Sequence, residues 1–85
     1  MNTEKFIELM DDTGNKNIKG CEVYYGLTII RKYLPEQGIE GADYDVIYSV
    51  DIDGLIKAGI TTEDVKNLAG TGWFIQDDEY LAHLV

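Results

Sequence analysis

The chain has 85 residues, with sixteen acidic and seven basic side chains and a formal net charge of −9. This length predicts one domain over residues 1–85, because chains divide into several domains only well above this size. Hydrophobic residues make up 45% of the chain, which is typical of a globular protein and excludes a disordered acidic tail. The strong negative charge disfavours direct binding to nucleic acids and to anionic membranes.

Cysteine content and the N-terminal residues predict a cytoplasmic protein. Cys21 is the only cysteine, so no internal disulfide can form and a secreted, disulfide-stapled scaffold is excluded. Residues 1–10 include Glu4 and Glu8 and lack the basic start and long apolar core of a signal peptide. No apolar run approaches the roughly 20 residues that span a bilayer.

The first predicted helix runs from Thr3 to Asp12. Thr3 is expected to cap it, because a threonine oxygen can accept from the free amides of a helix start. Gly14-Asn15 is a plausible stop, and residues 15–20 form a polar loop.

A second and stronger helix ends at Pro35, since proline supplies no amide proton. Its apolar side chains at spacings of four, three and four predict one inward face: Val23, Leu27, Ile30 and Leu34. Gly26 costs such a helix about 1 kcal/mol relative to alanine, which favours a close approach of another element at this point, with simple tolerance as the alternative.

A buried strand is predicted at residues 46–50, which are rich in β-branched and aromatic side chains, with a short extended piece at residues 39–42 before it. The Asp51-Ile52-Asp53-Gly54 segment that follows resembles part of a calcium loop. Its twelfth position, however, is Ile60 instead of a bidentate glutamate. The favoured interpretation is that Asp51 caps a short helix that Gly59 ends in a left-handed conformation. A divalent-metal module using Asp51 and Asp53 stays open as an alternative.

Another capped helix is predicted after Gly59. Thr61 is its cap, its inward side chains are Val65, Leu68 and Ala69, and Gly70 or Gly72 ends it. Residues 55–61 resemble the turn of a helix-hairpin-helix, a motif of DNA-binding proteins. Basic residues that would contact phosphates are missing around this turn, so a nucleic-acid-associated protein is a second alternative.

The C-terminal segment predicts a hairpin. Trp73, Phe74 and Ile75 form one strand, Asp77-Asp78 the turn, and residues 80–85 the return strand, with Tyr80, Ala82 and Leu84 on one face. A final helix capped by Asp77 is the competing interpretation, but the strand at 46–50 needs sheet partners for its backbone. The sequence thus predicts an α+β fold in which three to four helices pack on a small antiparallel sheet, with strands near 45–50, 73–76 and 80–85.

No catalytic constellation is expected. The one thiol, Cys21, and the one imidazole, His83, lie in segments predicted to be structural, and the paired carboxylates are expected to be solvated. Gly70-Thr71-Gly72 follows a helix and lacks the third glycine of a dinucleotide loop. We therefore predict no enzyme activity and no cofactor.

The order of a helix, then DYDVIYSV, TTEDVKNLAGTGWFI, an acidic turn and EYLAHLV resembles small acidic proteins encoded by phages and bacteria, most of which have no assigned function. The resemblance covers residues 27–85. Members often carry a histidine before the aspartate of the strand, where this chain has Tyr44. A phage or prophage origin, in a host cytoplasm, is what the resemblance implies.

Exposed aromatic side chains among acidic ones are typical of protein-binding surfaces. The expected function is therefore regulatory, namely binding to a basic surface of a host protein. The sequence leaves the oligomeric state open, a dimer included. The candidate protein-binding residues are Tyr44, Asp45, Trp73, Asp77, Asp78, Glu79 and Tyr80.

Overall fold

The structure is a computed structural model that describes residues 1–13 and 22–84. The described residues form four helices and a four-stranded antiparallel sheet, which confirms the predicted α+β class. The helices are α1 (Thr3–Thr13), α2 (Glu22–Tyr33), α3 (Ile52–Lys57) and α4 (Thr62–Gly70). The strands are β1 (Gly41–Asp43), β2 (Val46–Asp51), β3 (Phe74–Gln76) and β4 (Tyr80–Leu84). The predicted helix stop at Gly14-Asn15, the loop at 15–20 and Cys21 lie outside the described residues.

The N-cap of helix α1 lies one residue earlier than the sequence predicts. The side chain of Asn2, and not that of Thr3, accepts a hydrogen bond from the Lys5 amide at 2.8 Å. Thr3 is instead the first helical residue. Both residue types cap helices, so the sequence alone offers no strong preference between the two neighbours.

Helix α2 ends at Tyr33, two residues before Pro35, as predicted, but its buried stripe is rotated. Gly26, Ile29 and Ile30 are buried, whereas Val23 and Leu27 are only partly buried. The predicted close approach at Gly26 is confirmed: a Cβ atom there would lie 1.8 Å from Nε1 of Trp73. The rotation follows from that contact, since the indole ring packs where a side chain would otherwise stand.

The two short helices α3 and α4 are joined by the turn that the sequence predicts. Gly59 has a φ of 89°, and the Thr61 hydroxyl accepts from the Asp64 amide at 3.1 Å. Asp51 holds the N-cap position of α3, but its side chain makes no capping hydrogen bond. The carboxylate of Asp51 is therefore left exposed at the end of β2.

The sheet has the strand order β1-β2-β4-β3, and both hairpins are antiparallel. The C-terminal segment is a strand, as preferred, and not a helix. Central strand β2 pairs with β4 from Val46 opposite Leu84 to Asp51 opposite Tyr80, with a β-bulge between Tyr48 and Asp51. The predicted extended piece at 39–42 is observed two residues later, as β1.

The hydrophobic core lies between the helices and one face of the sheet. Its largest fully buried side chains are Trp73, Phe6, Ile30, Ile52, Leu55, Leu68 and Leu81. Among the described residues, no helix is long and apolar enough to cross a membrane.

Candidate functional site

The two faces of the sheet have different surroundings. Ile47, Ile75 and Leu81 share one face by register and pack into the helical core. His83 follows on that face: its ring lies 5.2 Å from the Trp73 ring, and its Nε2 lies 2.9 Å from the Thr71 carbonyl oxygen. This inner face is the one that the fold uses for stability.

The alternate residues of the same strands form the other face, which we call the outer face. Register places six apolar or aromatic side chains on it: Val46, Tyr48, Phe74, Tyr80, Ala82 and Leu84. None of the six belongs to the core cluster that the described helices share with the inner face. Ala82 is fully buried between its neighbours, whereas Leu84 is 58% exposed and the four others are partly exposed.

Acidic side chains lie at both ends of the outer face. Asp43 pairs with Val46 in register at one end, and Asp51 pairs with Tyr80 at the other. The four strands contain no lysine or arginine. Within the described residues, the ion pairs are Lys5–Glu8, Lys32–Asp64 and Lys57–Asp53, so none of them neutralises Asp43 or Asp51.

The end of the sheet at Asp51 carries an aromatic pair and two adjoining depressions. Tyr48 and Tyr80 pack edge to face there, with ring centroids 5.3 Å apart and planes at 88°. A shallow depression of about 320 Å³ surrounds the pair and includes Glu40, Asp51 and Glu79 in its lining. Glu40 and Asp51 also line an adjoining depression of about 420 Å³ that reaches toward α3. Aromatic rings beside carboxylates form a surface suited to an ammonium or guanidinium group.

The electrostatic effect of Asp77 and Glu79 is visible at Tyr80. Partial removal of its phenol from water raises the pKa of Tyr80, and the negative charges of Asp77 and Glu79 raise it further. The Tyr80 hydroxyl donates a hydrogen bond to Oδ2 of Asp77 at 3.3 Å, which acts in the same direction. The part of this shift that comes from the charges of Asp77 and Glu79 reflects a negative potential, and a negative potential favours a positive charge nearby.

The turn beside Tyr80 holds its acidic residues in an unfavourable backbone conformation. Asp77 and Asp78 have φ angles of 56° and 55°, and the Glu79 amide donates to the Gln76 carbonyl at 3.1 Å. These values define a type I′ turn, a position at which glycine and asparagine are preferred. The predicted turn is thus confirmed, with aspartates where glycine would be less strained. Such strain is a feature that functional sites retain.

The opposite end of the outer face carries the other hairpin turn. Tyr44 is completely exposed and has a φ of 41°, an unusual value for a bulky side chain. Asp45 follows it and is exposed as well. A fully exposed tyrosine in a strained turn adds nothing to the core, so its ring and its hydroxyl are accessible for contacts at the surface.

The predicted site residues are therefore not one cluster. Tyr44 and Asp45 lie at one end of the sheet, while the Asp77–Tyr80 segment lies at the other, because β2 and β4 are antiparallel. Trp73 does not belong to either surface: it is 1% exposed and its indole packs against Gly26. The expectation that Trp73 lies on a protein-binding surface is wrong, since its large ring is the centre of the core.

Sequence reasoning did not place four charged or aromatic residues of this surface among the protein-binding candidates. Glu40, Asp43 and Tyr48 were not candidates, and Asp51 was one only for a metal site, yet each of the four lies on the outer face or lines its depression. The signal that could have found Tyr48 is the alternation of β2, in which every second side chain points away from the core. Glu40 offers no such signal, because it precedes β1 and its place depends on strand pairing.

The described residues do not have the arrangement of either alternative site, the metal site at Asp51 and Asp53 or the phosphate-binding turn at residues 55–61. Within residues 1–13 and 22–84, no group of three or more histidine, cysteine, aspartate or glutamate side chains is arranged to hold a metal ion. Asp53 lies 3.2 Å from the Lys57 ammonium. The start of α4, which would face phosphate in a helix-hairpin-helix, carries Glu63 and Asp64 in its first turn.

Asp64 serves as a link between α2 and α4. It accepts hydrogen bonds from the Tyr33 hydroxyl and from Lys32 Nζ, the latter at 2.9 Å. Burial alone would raise the pKa of Asp64. The hydrogen bonds from Tyr33 and Lys32, the charge of Lys32 and a hydrogen bond with Thr61 together outweigh burial and hold the pKa below its ordinary value. The carboxylate raises the pKa of the Lys32 ammonium in return. This cluster is a structural contact between helices.

Comparison of the chain with protein-family models, with curated proteins and with solved structures finds no match in any of the three. The resemblance to small acidic phage and bacterial proteins accordingly stays a prediction.

Proposed function

We propose that the chain is a small, non-enzymatic protein-interaction module that binds a basic surface of a partner protein in the cytoplasm. The phage or prophage origin that the resemblance implies belongs to the same proposal, with the partner then being a host protein. The observation that carries the proposal is the end of the sheet at Asp51. There Glu40, Asp51 and Glu79 surround the Tyr48–Tyr80 pair, and none of the three forms an ion pair with a described lysine or arginine.

Physical chemistry supports this assignment in two ways. Carboxylates that form no ion pair with a described residue, grouped beside partly exposed tyrosines, offer both charge attraction and apolar contact area. The net charge of −9 adds long-range attraction for a basic partner, so association should be fast and sensitive to salt.

The test compares the capture of proteins from a lysate by the wild type and by two variants that have the same net charge as each other. The site variant is Asp51→Lys/Glu79→Lys. The control is Glu4→Lys/Glu63→Lys, which reverses two exposed charges in the first turns of α1 and α4. Circular dichroism first establishes that both variants are folded. The captured protein is then purified, and its dissociation constant is measured at several salt concentrations.

A basic protein held by the wild type and by the control, lost with the site variant and released by rising salt, is the expected result. Equal loss with both variants would reduce the effect to net charge and contradict a specific site. Capture that persists unchanged in the site variant, or an affinity that does not weaken with salt, would contradict the proposal itself.

A further inference from the structure

We infer that the outer face accommodates one amphipathic α-helix of the partner, with basic residues about three turns apart and an apolar stripe between them. This inference rests on the proposed function and specifies the shape of the basic segment. It is an interaction mode that involves the whole outer face, and not only the depression at Asp51.

The first step is that the outer face is apolar along its centre. Tyr48 and Phe74 line it, and Ala82 between them leaves a low point because its side chain is a single methyl group. Leu84 extends the apolar surface beside Val46, toward the end at Asp43. Gly41 lies opposite Tyr48 in register, and a Cβ there would be 3.6 Å from the tyrosine ring. Sheets ordinarily bury such a face against a second layer of helices or strands.

The second step is the distribution of charge along that face. Asp43 and the neighbouring Asp45 lie at one end, and Asp51 and Glu79 lie at the other, with no basic residue on any of the four strands. The complementary partner is therefore apolar in its middle and basic at both ends. A uniformly basic surface would leave the centre of the outer face without an apolar contact.

The third step is length. The two acidic ends are five residues apart on the bulged strand β2, from Val46 to Asp51, and four residues apart on its partner β4, from Leu84 to Tyr80, which corresponds to roughly 13–17 Å. An α-helix covers such a distance in about 9 to 11 residues. Among these spacings, i and i+11 lie on the same side of a helix, because three turns are about 10.8 residues. Basic side chains at i and i+11, with apolar ones at i+4 and i+7, meet the two acidic ends and the apolar centre at once.

The fourth step excludes an extended strand as the occupant. A peptide strand adds to the edge of a sheet through backbone hydrogen bonds, and the edge strands here, β1 and β3, have three residues each. Such short edges offer few backbone groups. A helix uses side-chain contacts and can lie across the face of the sheet.

The experiment uses two synthetic peptides of identical composition and charge. One places its basic residues at i and i+11, and the other at i and i+9, which moves the second basic residue to the opposite side of the helix. Fluorescence anisotropy of labelled peptide measures the affinity, and circular dichroism of the peptide in the complex measures its helicity. The protein variants are Asp43→Asn, Asp51→Asn and Leu84→Ser. The control is Tyr24→Ser, a similarly exposed residue on α2.

We expect the i, i+11 peptide to bind more tightly than its isomer and to gain helicity on binding. Each aspartate variant should weaken it by about two- to fivefold, as exposed ion pairs do. Leu84→Ser should weaken it by about fivefold through lost apolar contact, and Tyr24→Ser should have no effect.

Equal binding of the two peptides, or bound peptide without helicity, would overturn the inference. So would weakening by Asp51→Asn without any by Asp43→Asn or Leu84→Ser, although the proposed function would then stand with binding confined to one end. Failure of both peptides to bind at low salt overturns the inference alone. The proposed function falls separately, through unchanged capture by the Asp51→Lys/Glu79→Lys variant.

Discussion

On the helix-covered face of the sheet, Leu81 is completely buried and Ile47 is 9% exposed; on the outer face of the same strands, Leu84 is 58% exposed and Tyr48 and Tyr80 are only partly covered. The inner face is closed by complementary packing, down to a glycine that accommodates an indole ring. The outer face has similar side chains without a described partner layer, and carboxylates that no described lysine or arginine pairs with. The helices therefore cover one face of the sheet, and the described residues leave the other face only partly covered.

The largest expected effect concerns the inner face. Gly26→Ala should lower the free energy of unfolding by about 3 kcal/mol, because the new methyl group would overlap the Trp73 indole, and this overpacking outweighs the better helix propensity of alanine. Urea denaturation measures the change. Binding through the outer face should be unaffected under conditions where the variant is folded.

A double-mutant cycle makes this prediction sharper. In a Trp73→Leu background the same glycine substitution should cost much less, since the smaller side chain leaves room for the methyl group. The difference between Tyr24→Gly and Tyr24→Ala, at an exposed position of α2, reports the glycine-to-alanine effect of helix propensity alone. An equal cost of Gly26→Ala in both backgrounds would show that the indole contact is not the cause.

Gly26 and Trp73 also illustrate what the sequence could predict. A glycine inside a strong helix predicted a close approach, and the strand run after Asp45 predicted a buried strand, because both signals are local. The identity of the approaching element was not local: Trp73 lies 47 positions further along the chain, as their sequence numbers show. Its aromatic character suggested a binding surface, whereas its position made it the centre of the core.

The candidate site was predictable only in part for the same reason. The acidic turn at Asp77-Asp78 follows from turn chemistry and was confirmed. That Asp51 lies beside Tyr80 depends on the register of β2 with β4 and on the bulge between Tyr48 and Asp51. A shift of one residue would have moved Tyr48 into the core. Strand pairing, and not residue type, decides which carboxylates share a face.

A smaller effect is expected at the hydrogen bond between Tyr33 and Asp64, a charged contact between α2 and α4 that lies away from the outer face. Tyr33→Phe should lower the free energy of unfolding at neutral pH by about 1.5 kcal/mol, since it removes a hydrogen bond to the Asp64 carboxylate. Because the pKa of Asp64 is lowered in the folded protein, this contribution is present above the carboxyl's ordinary unfolded value and is lost as the pH falls through the folded one.

Urea denaturation of both proteins from pH 7 down to pH 3 measures that dependence. The difference between the wild type and Tyr33→Phe should be full at pH 7 and should shrink below about pH 4. Asp53→Asn, which removes an exposed i, i+4 pair with Lys57, serves as the control and should change stability by at most about 0.5 kcal/mol. A Tyr33→Phe difference that is constant with pH would contradict the assignment to Asp64.

The smallest expected effect has the opposite sign and addresses the outer face directly. Asp77→Asn/Asp78→Gly gives the β3–β4 turn the residues that its left-handed backbone prefers, so the free energy of unfolding should rise by about 1 kcal/mol. The same change removes two negative charges next to Tyr80, so affinity for a basic partner should fall.

Glu4→Gln/Glu63→Gln, which removes the same charge elsewhere, controls for net charge. A variant that is more stable and binds less well would show that the strained aspartates are kept for binding; undiminished affinity would show that this turn lies outside the binding surface, even though it adjoins the tyrosine pair.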